Sequence, residues 1–277
     1  MGKKSRRKGQ AKQRMPFVAR TFEGLPQEGD WIAMREFVPS ADAVVTLRDG
    51  GTVRVCSLLP GGGAGIVRPD GEIWLGLQVQ HNFGDISRDL AHVVETARTL
   101  EPGTPVSITD PGVGDRLQDL VAPDSSFDVT VHAGFDYWIA DDDRTDEMRA
   151  ALDQANETAA PTTRLEQVDA AYWTEMGSHR YLRWVLPHPE EKLLDALARL
   201  QEVRADRLGD ETRLIGSFRA HGLLVPVWET EDDAAALETE AVAFRKRLDE
   251  ALADTSELTS EQRRVRSSLL HRQLTIR

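Results

Sequence analysis

The chain has 277 residues, enough for two ordinary domains or one large one, and 40% hydrophobic residues with 6 Trp argue against wholesale disorder. No apolar run approaches the ~18 residues that a membrane helix needs, and the lone Cys56 forbids an internal disulfide or a multi-cysteine metal site, so a soluble protein of a reducing, cytoplasmic setting is expected. The net charge of -12 hides a partition: residues 1–14 carry seven cations and no acid, residues 263–277 carry five and no acid, and residues 15–262 therefore carry -24.

The basic arm, MGKKSRRKGQAKQR, has almost no apolar residue to offset the cost of ordering and reads as disordered in isolation. Its Ser5 to Gly9 (SRRKG) has the paired arginines of a twin-arginine export signal, but a polar GQAKQR stands where such a signal needs an apolar segment, so export is not expected. From Pro16 the text turns apolar, with an extended lead-in to about Pro26 and a short helix near Glu28 to Phe37, stopped before Pro39.

Ala43 to Leu47 and Thr52 to Leu58 flank Asp49-Gly50, a strong hairpin signal. A Gly-rich loop, Pro60 to Gly65, leads to a third strand, Ile73 to Val79. Asp85 then caps a helix whose Ile86, Leu90, Val93, Val94, Ala97 and Leu100 share one face. Residues 101–126 read as loop with one turn near Arg116 to Val121.

Phe127 to Asp143, FDVTVHAGFDYWIADDD, reads as two short strands around a His-Gly turn that run into an acidic helix start, and the helix continues to about Thr158. The pattern returns at Leu214 to Asp233, LIGSFRAHGLLVPVWETEDD. Between them, Gln167 to Trp173 and Arg180 to Leu186 read as strands around Met176-Gly177-Ser178. Pro187 to Glu191 opens a helix with Leu193, Leu197, Leu200 and Leu208 buried and Gly209 as its stop. A helix from about Asp232 to Ala253 and a last one behind the capping box Thr259 to Gln262 complete the chain.

Each half thus reads strands, helix, two strands, helix. The expected class is α+β, with two similar modules packed together and a possible tandem duplication. The expected divisions are a basic arm (1–15), a first module (16–160), a second module (161–255) and a C-terminal helix with a basic tail (256–277).

Few residues offer chemistry. Gly61 to Gly65 lacks the Gly-Lys-Ser/Thr ending of a phosphate loop, and Ile66 stands where a dinucleotide fingerprint needs Gly, so hairpin slack explains it better. His132, Asp136 and Tyr137 of the first hairpin, brought next to His221 of the second, would make a polar cleft with a general base. Turn histidines and packing aromatics are the blander explanation. Asp141, Asp142 and Asp143, like Glu231, Asp232 and Asp233, lack the spacing of a calcium loop and suit helix starts. No cofactor and no metal is expected.

The basic ends point to a partner. Lys3, Lys4, Arg6, Arg7, Lys8, Lys12 and Arg14, with Arg263, Arg264 and Arg266, would release counterions from a phosphate backbone and bind it in a salt-sensitive, sequence-blind way. The competing explanation folds these ends back on the acidic body.

MGKKSRRK, PFVARTFEGLPQEGDWIAMREFVPSADA, FDVTVHAGFDYWI, YLRWVLPHPEEKLLDALARL and RRVRSSLLHRQLTIR together resemble an uncharacterised actinobacterial family, a domain of unknown function, over nearly the whole chain. The resemblance implies a cytoplasmic protein of a high-GC bacterium and carries over no catalytic residue. Labels such as topoisomerase II or SecA-type translocase, which members of that family sometimes bear, find no support here. No ATP-binding motif is present, and Cys56 alone cannot build the zinc cluster of a SecA tail.

The expected function is a non-enzymatic cytoplasmic binding protein whose basic ends touch RNA, ribosome or DNA phosphates and whose acidic body engages a protein or a small ligand. The alternative is an enzyme with a small-molecule site near His132 and His221.

Overall fold

A computed structural model describes residues 18–80, 82–139 and 145–274. The arm cations Lys3 to Arg14 and the acidic run Asp141 to Asp143 lie outside the described residues. The class is α+β, with helices over two sheets.

Helix α1 (Glu28–Glu36) leads into β1 (Ala41–Thr46), which pairs antiparallel with β2 (Thr52–Cys56) in the register Thr46 to Thr52, so the Asp49-Gly50 turn falls where expected. Two more strands, β3 (Gly65–Val67) and β4 (Ile73–Gly76), follow, and β4 runs parallel to β2. The tail of the Gly-rich loop is therefore a strand. A Cβ on Gly65 would come within 2.7 Å of the Val93 side chain, so glycine there lets β3 sit close under the covering helix.

That helix is α2 (Ile86–Ala97), with Asp85 accepting the Ser87 amide as its N-cap and Leu90, Val93, Val94 and Ala97 buried. Strand β5 (Pro105–Val106) edges the sheet against β3, and α3 (Leu117–Leu120) is the expected turn.

The stretch from Phe127 departs from its reading as a hairpin. Among its described residues only β6 (Thr130–Val131) is strand, and it pairs with β1. Asp136–Trp138 is a single 3-10 turn that lays Phe135 and Trp138 against Leu59 and Trp74 on the outer face of the sheet. Phe127 itself stacks on Trp31 at 4.2 Å in the main core. The apolar residues that suggested two strands are thus divided between two faces of one sheet, whose strand order is β5-β3-β4-β2-β1-β6.

Helix α4 (Asp146–Asn156), capped by Thr145, precedes the second sheet. Here β7 (Thr162–Arg164), β8 (Ala171–Met176), β9 (His179–Trp184), β10 (Thr212–Ala220) and β11 (Leu223–Thr230) are all antiparallel, in the order β10-β11-β9-β8-β7. Leu214 to Asp233 does hold a long hairpin, β10 with β11. Strand order and the parallel pair of the first sheet set the two sheets apart, so they do not share one repeated topology.

Alternation along the strands explains the packing. Leu182, Trp184, Leu224 and Trp228 face α5 (Glu190–Glu202), α6 (Ala234–Ala253) and α7 (Ser260–His271), meeting Leu193, Leu197, Phe244 and Leu248. Tyr172, Val185, Val225 and Val227 face the other way and share a core with Trp31, Met34 and Phe37 of the first half. α7 starts at the expected capping box, Thr259 with Gln262.

α5 stops earlier than Gly209 suggested. Its C-terminus is closed at Arg204, φ +60°, where the Arg204 amide donates to the Gln201 carbonyl at 3.1 Å and the Ala205 amide to the Leu200 carbonyl at 2.8 Å. Those two bonds are the Schellman pattern, with arginine in the position that glycine usually takes.

Candidate functional site

β1 and β2 offer alternate residues to the outer face of the first sheet, and the polar ones form a connected network there. Asp42, buried, accepts from Arg54 Nη1 at 2.5 Å through one oxygen and meets His132 Nε2 at 2.6 Å through the other. Arg54 continues to Glu72, whose carboxylate accepts the Trp74 indole N–H at 2.6 Å. β6 aligns His132 by hydrogen-bonding its amide to the Ser40 carbonyl.

The 3-10 turn then places the Tyr137 ring over His132 with centroids 4.2 Å apart. Burial pushes the Tyr137 hydroxyl up, and the neighbouring Cys56 adds to it. Cys56 behaves likewise: burial raises its thiol far above the ordinary value, and Asp42 reinforces the effect. A thiol held protonated is a poor nucleophile. The cluster therefore contains a His–Asp pair able to hold a proton but no activated nucleophile beside it.

Of the residues expected to meet here, His132 and Tyr137 do. Asp136 turns away and accepts from Asn156 Nδ2 at 3.0 Å. His221 belongs to another contact altogether: at the β10–β11 turn it sits 2.8 Å from Glu36 Oε1 and packs against the Phe22 ring. Burial alone would raise the Glu36 carboxyl, but the bond and charge of His221, with Arg35 nearby, bring it below its ordinary value. His132 and His221 share no hydrogen bond or ring contact.

Asp42, Arg54 and Glu72 escaped the sequence reading, although their signal was present. Asp42 and Arg54 are charged residues inside short β-rich runs, where a charge needs a partner across the strand.

Of the C-terminal cations, Arg266 is engaged with the body and the others named at sequence level bond locally. Arg266 bridges α7 to α5 by binding Asp195 at 2.6 Å and also Glu191. Arg264 pairs with Glu261 at 2.7 Å while its side chain stays 79% exposed, and Arg263 bonds Ser260 and the Leu258 carbonyl. Among the described residues no group of three or more His, Cys, Asp and Glu side chains is placed to hold a metal ion, and no helix is long and apolar enough to cross a membrane.

No curated protein and no solved structure matches the chain. A family model described as a family of unknown function, DUF5926, matches residues 21–277, which span both sheets and every helix above. The chain belongs to the DUF5926 family, a family of unknown function.

Proposed function

We propose that the protein is a non-enzymatic cytoplasmic binding protein whose basic ends contact the phosphates of RNA, ribosome or DNA, while the acidic body engages a protein. The charge partition carries this reading: seven cations without an acid in residues 1–14, against -24 in residues 15–262. Such an arm displaces counterions from a phosphate backbone and so gains affinity that falls with salt. The exposed Arg264 extends the basic character at the other end.

The test is a filter-binding titration of RNA with the full chain and with a variant lacking residues 1–14, at low and raised salt. Binding by the full chain should fall on a log-log salt plot, and the slope should flatten by roughly 0.7 to 0.9 for each phosphate contact removed. Equal binding by both proteins would remove the arm from the account.

The second reading, an enzyme at the first sheet, rests on one observation. His132 is 27% exposed and, among the described residues, its Nδ1 takes no hydrogen bond, so one ring nitrogen of the His132–Asp42 pair is free to meet a substrate. If a turnover assay with any small substrate succeeds, His132→Gln should abolish it and Glu36→Gln should not.

A further inference from the structure

Four arginines line one cleft of about 540 Å³ at the end of the second sheet: Arg204, Arg207, Arg213 and Arg272. They come from three separate places, the loop after α5, the start of strand β10 and the C-terminal segment. In a body of strongly negative charge this convergence is unexpected, because like charges repel and the surrounding carboxylates offer better positions. Among the described residues, neither the Arg204 nor the Arg272 side chain has a hydrogen-bond or ion-pair partner. Arg207 donates to the Asp210 carbonyl at 3.2 Å, and Arg213 pairs with Glu229 at 2.6 Å.

Asp206 also lines the cleft, but it is buried, and its Oδ2 already accepts from Gln201 Nε2 at 2.9 Å. Its acid is thus partly spent inward. The loop is held stiff by bonds to its backbone: Trp228 Nε1 donates to the Asp206 carbonyl at 2.8 Å, and Arg247 Nη2 to the Arg207 carbonyl at 2.7 Å. A cationic loop fixed in this way pays little ordering cost when an anion arrives.

Arg204 supplies a second, independent observation. Its φ of +60° is a position where glycine is cheaper by about 1 kcal/mol or more, and the helix-end carbonyls it could complement are already bonded by the Schellman pair. Backbone strain kept at an arginine next to three others fits a side chain retained for what it binds.

We infer that this cleft is a binding site for a compact oligophosphate, the di- or triphosphate group of a small molecule. Guanidinium forks match phosphate oxygens in pairs. No aromatic side chain lines the cleft, so a base would find no stacking platform and recognition falls on the phosphates. The inference is argued from described residues alone and does not depend on the function proposed above.

The test is isothermal titration of the full chain with tripolyphosphate at low salt, with sulfate as the competitor. Three variants accompany it: Arg204→Gly, Arg272→Ala and the chain lacking residues 1–14. The wild type and the shortened chain should bind alike, sulfate should compete only weakly, and each arginine variant should bind at least about tenfold more weakly. Arg204→Gly should melt no lower than the wild type, since glycine relieves the left-handed backbone, so its loss of binding would not be loss of fold. The inference is overturned if the wild type does not bind tripolyphosphate, if sulfate binds equally well, if either arginine variant binds like the wild type, or if removing residues 1–14 abolishes binding.

Discussion

Tyr172 donates its phenolic proton to Asp30 at 2.6 Å, and Arg164 approaches the same carboxylate at 3.0 Å, so a fully buried acid of α1 is held by two strands of the second sheet. Burial raises the Tyr172 hydroxyl well above its ordinary value, and Asp30 raises it further. This contact joins the halves in the core that they share.

Removing its members should therefore cost more than any surface pair. Asp30→Ala strands Arg164 and Tyr172 and should cost about 3–5 kcal/mol, whereas Tyr172→Phe loses one charged hydrogen bond, about 1.5–3 kcal/mol. Urea denaturation checks both. If Asp30→Ala unfolds no more easily than Tyr172→Phe, the ion pair contributes nothing beyond the hydroxyl.

Gly216 meets the C-terminal segment closely. Ser217 bonds Arg272 and Leu274 as a short added strand beside β10, and a Cβ on Gly216 would lie 2.5 Å from the Arg272 carbonyl oxygen. Gly216→Ala should push that segment off the edge, with faster hydrogen exchange at the Ser217 and Leu274 amides and unchanged exchange in the β11–β9 ladder. Unaltered protection at both amides would show that the edge accommodates the methyl group.

The Glu36 carboxyl is depressed in the folded protein against an ordinary value of 4.5. A depressed carboxyl stabilises the fold above its unfolded value, and that contribution is lost as pH falls through the folded value. The stability gap between the wild type and Glu36→Gln should accordingly be widest near neutral pH and close on acidification below 4.5. A gap that stays constant across this range would mean that Glu36 is not charged in its contact with His221.

Cys56, buried and with its thiol pushed up, should resist a thiol reagent in the native state. Labelling should proceed at the rate of opening and become immediate in denaturant. Rapid native labelling would make Cys56 a candidate nucleophile near Asp42 and Tyr137.

Much of the secondary structure was legible because its signals are local. Asp85, Asp233 and the Thr259 capping box each bond an amide two or three residues away, and Asp49-Gly50 closes a turn on its own neighbours. Short β strands were less legible. β3, β5 and β7 have two or three residues each, too few for alternation to register, and they exist because a neighbouring strand supplies their hydrogen bonds. The Phe127 stretch misled for a related reason: Phe127, Val129 and Val131 alternate like a strand and pack in or against the main core, whereas Phe135 and Trp138, which suggested its partner strand, pack on the outer face.

Of the expected polar site, the sequence by itself determined only that His132 and Tyr137 are close along the chain. Tertiary structure decided the rest, giving His132 to Asp42 and His221 to Glu36, because ion pairs form across strands and between elements whose approach no local pattern encodes. Composition and charge order likewise determined that cations gather at the chain ends and acid between them. That Arg204 and Arg272 face one cleft was decided when the C-terminal segment docked on β10, a long-range contact stabilised by backbone hydrogen bonds, which any sequence can make and so leave no trace in residue type.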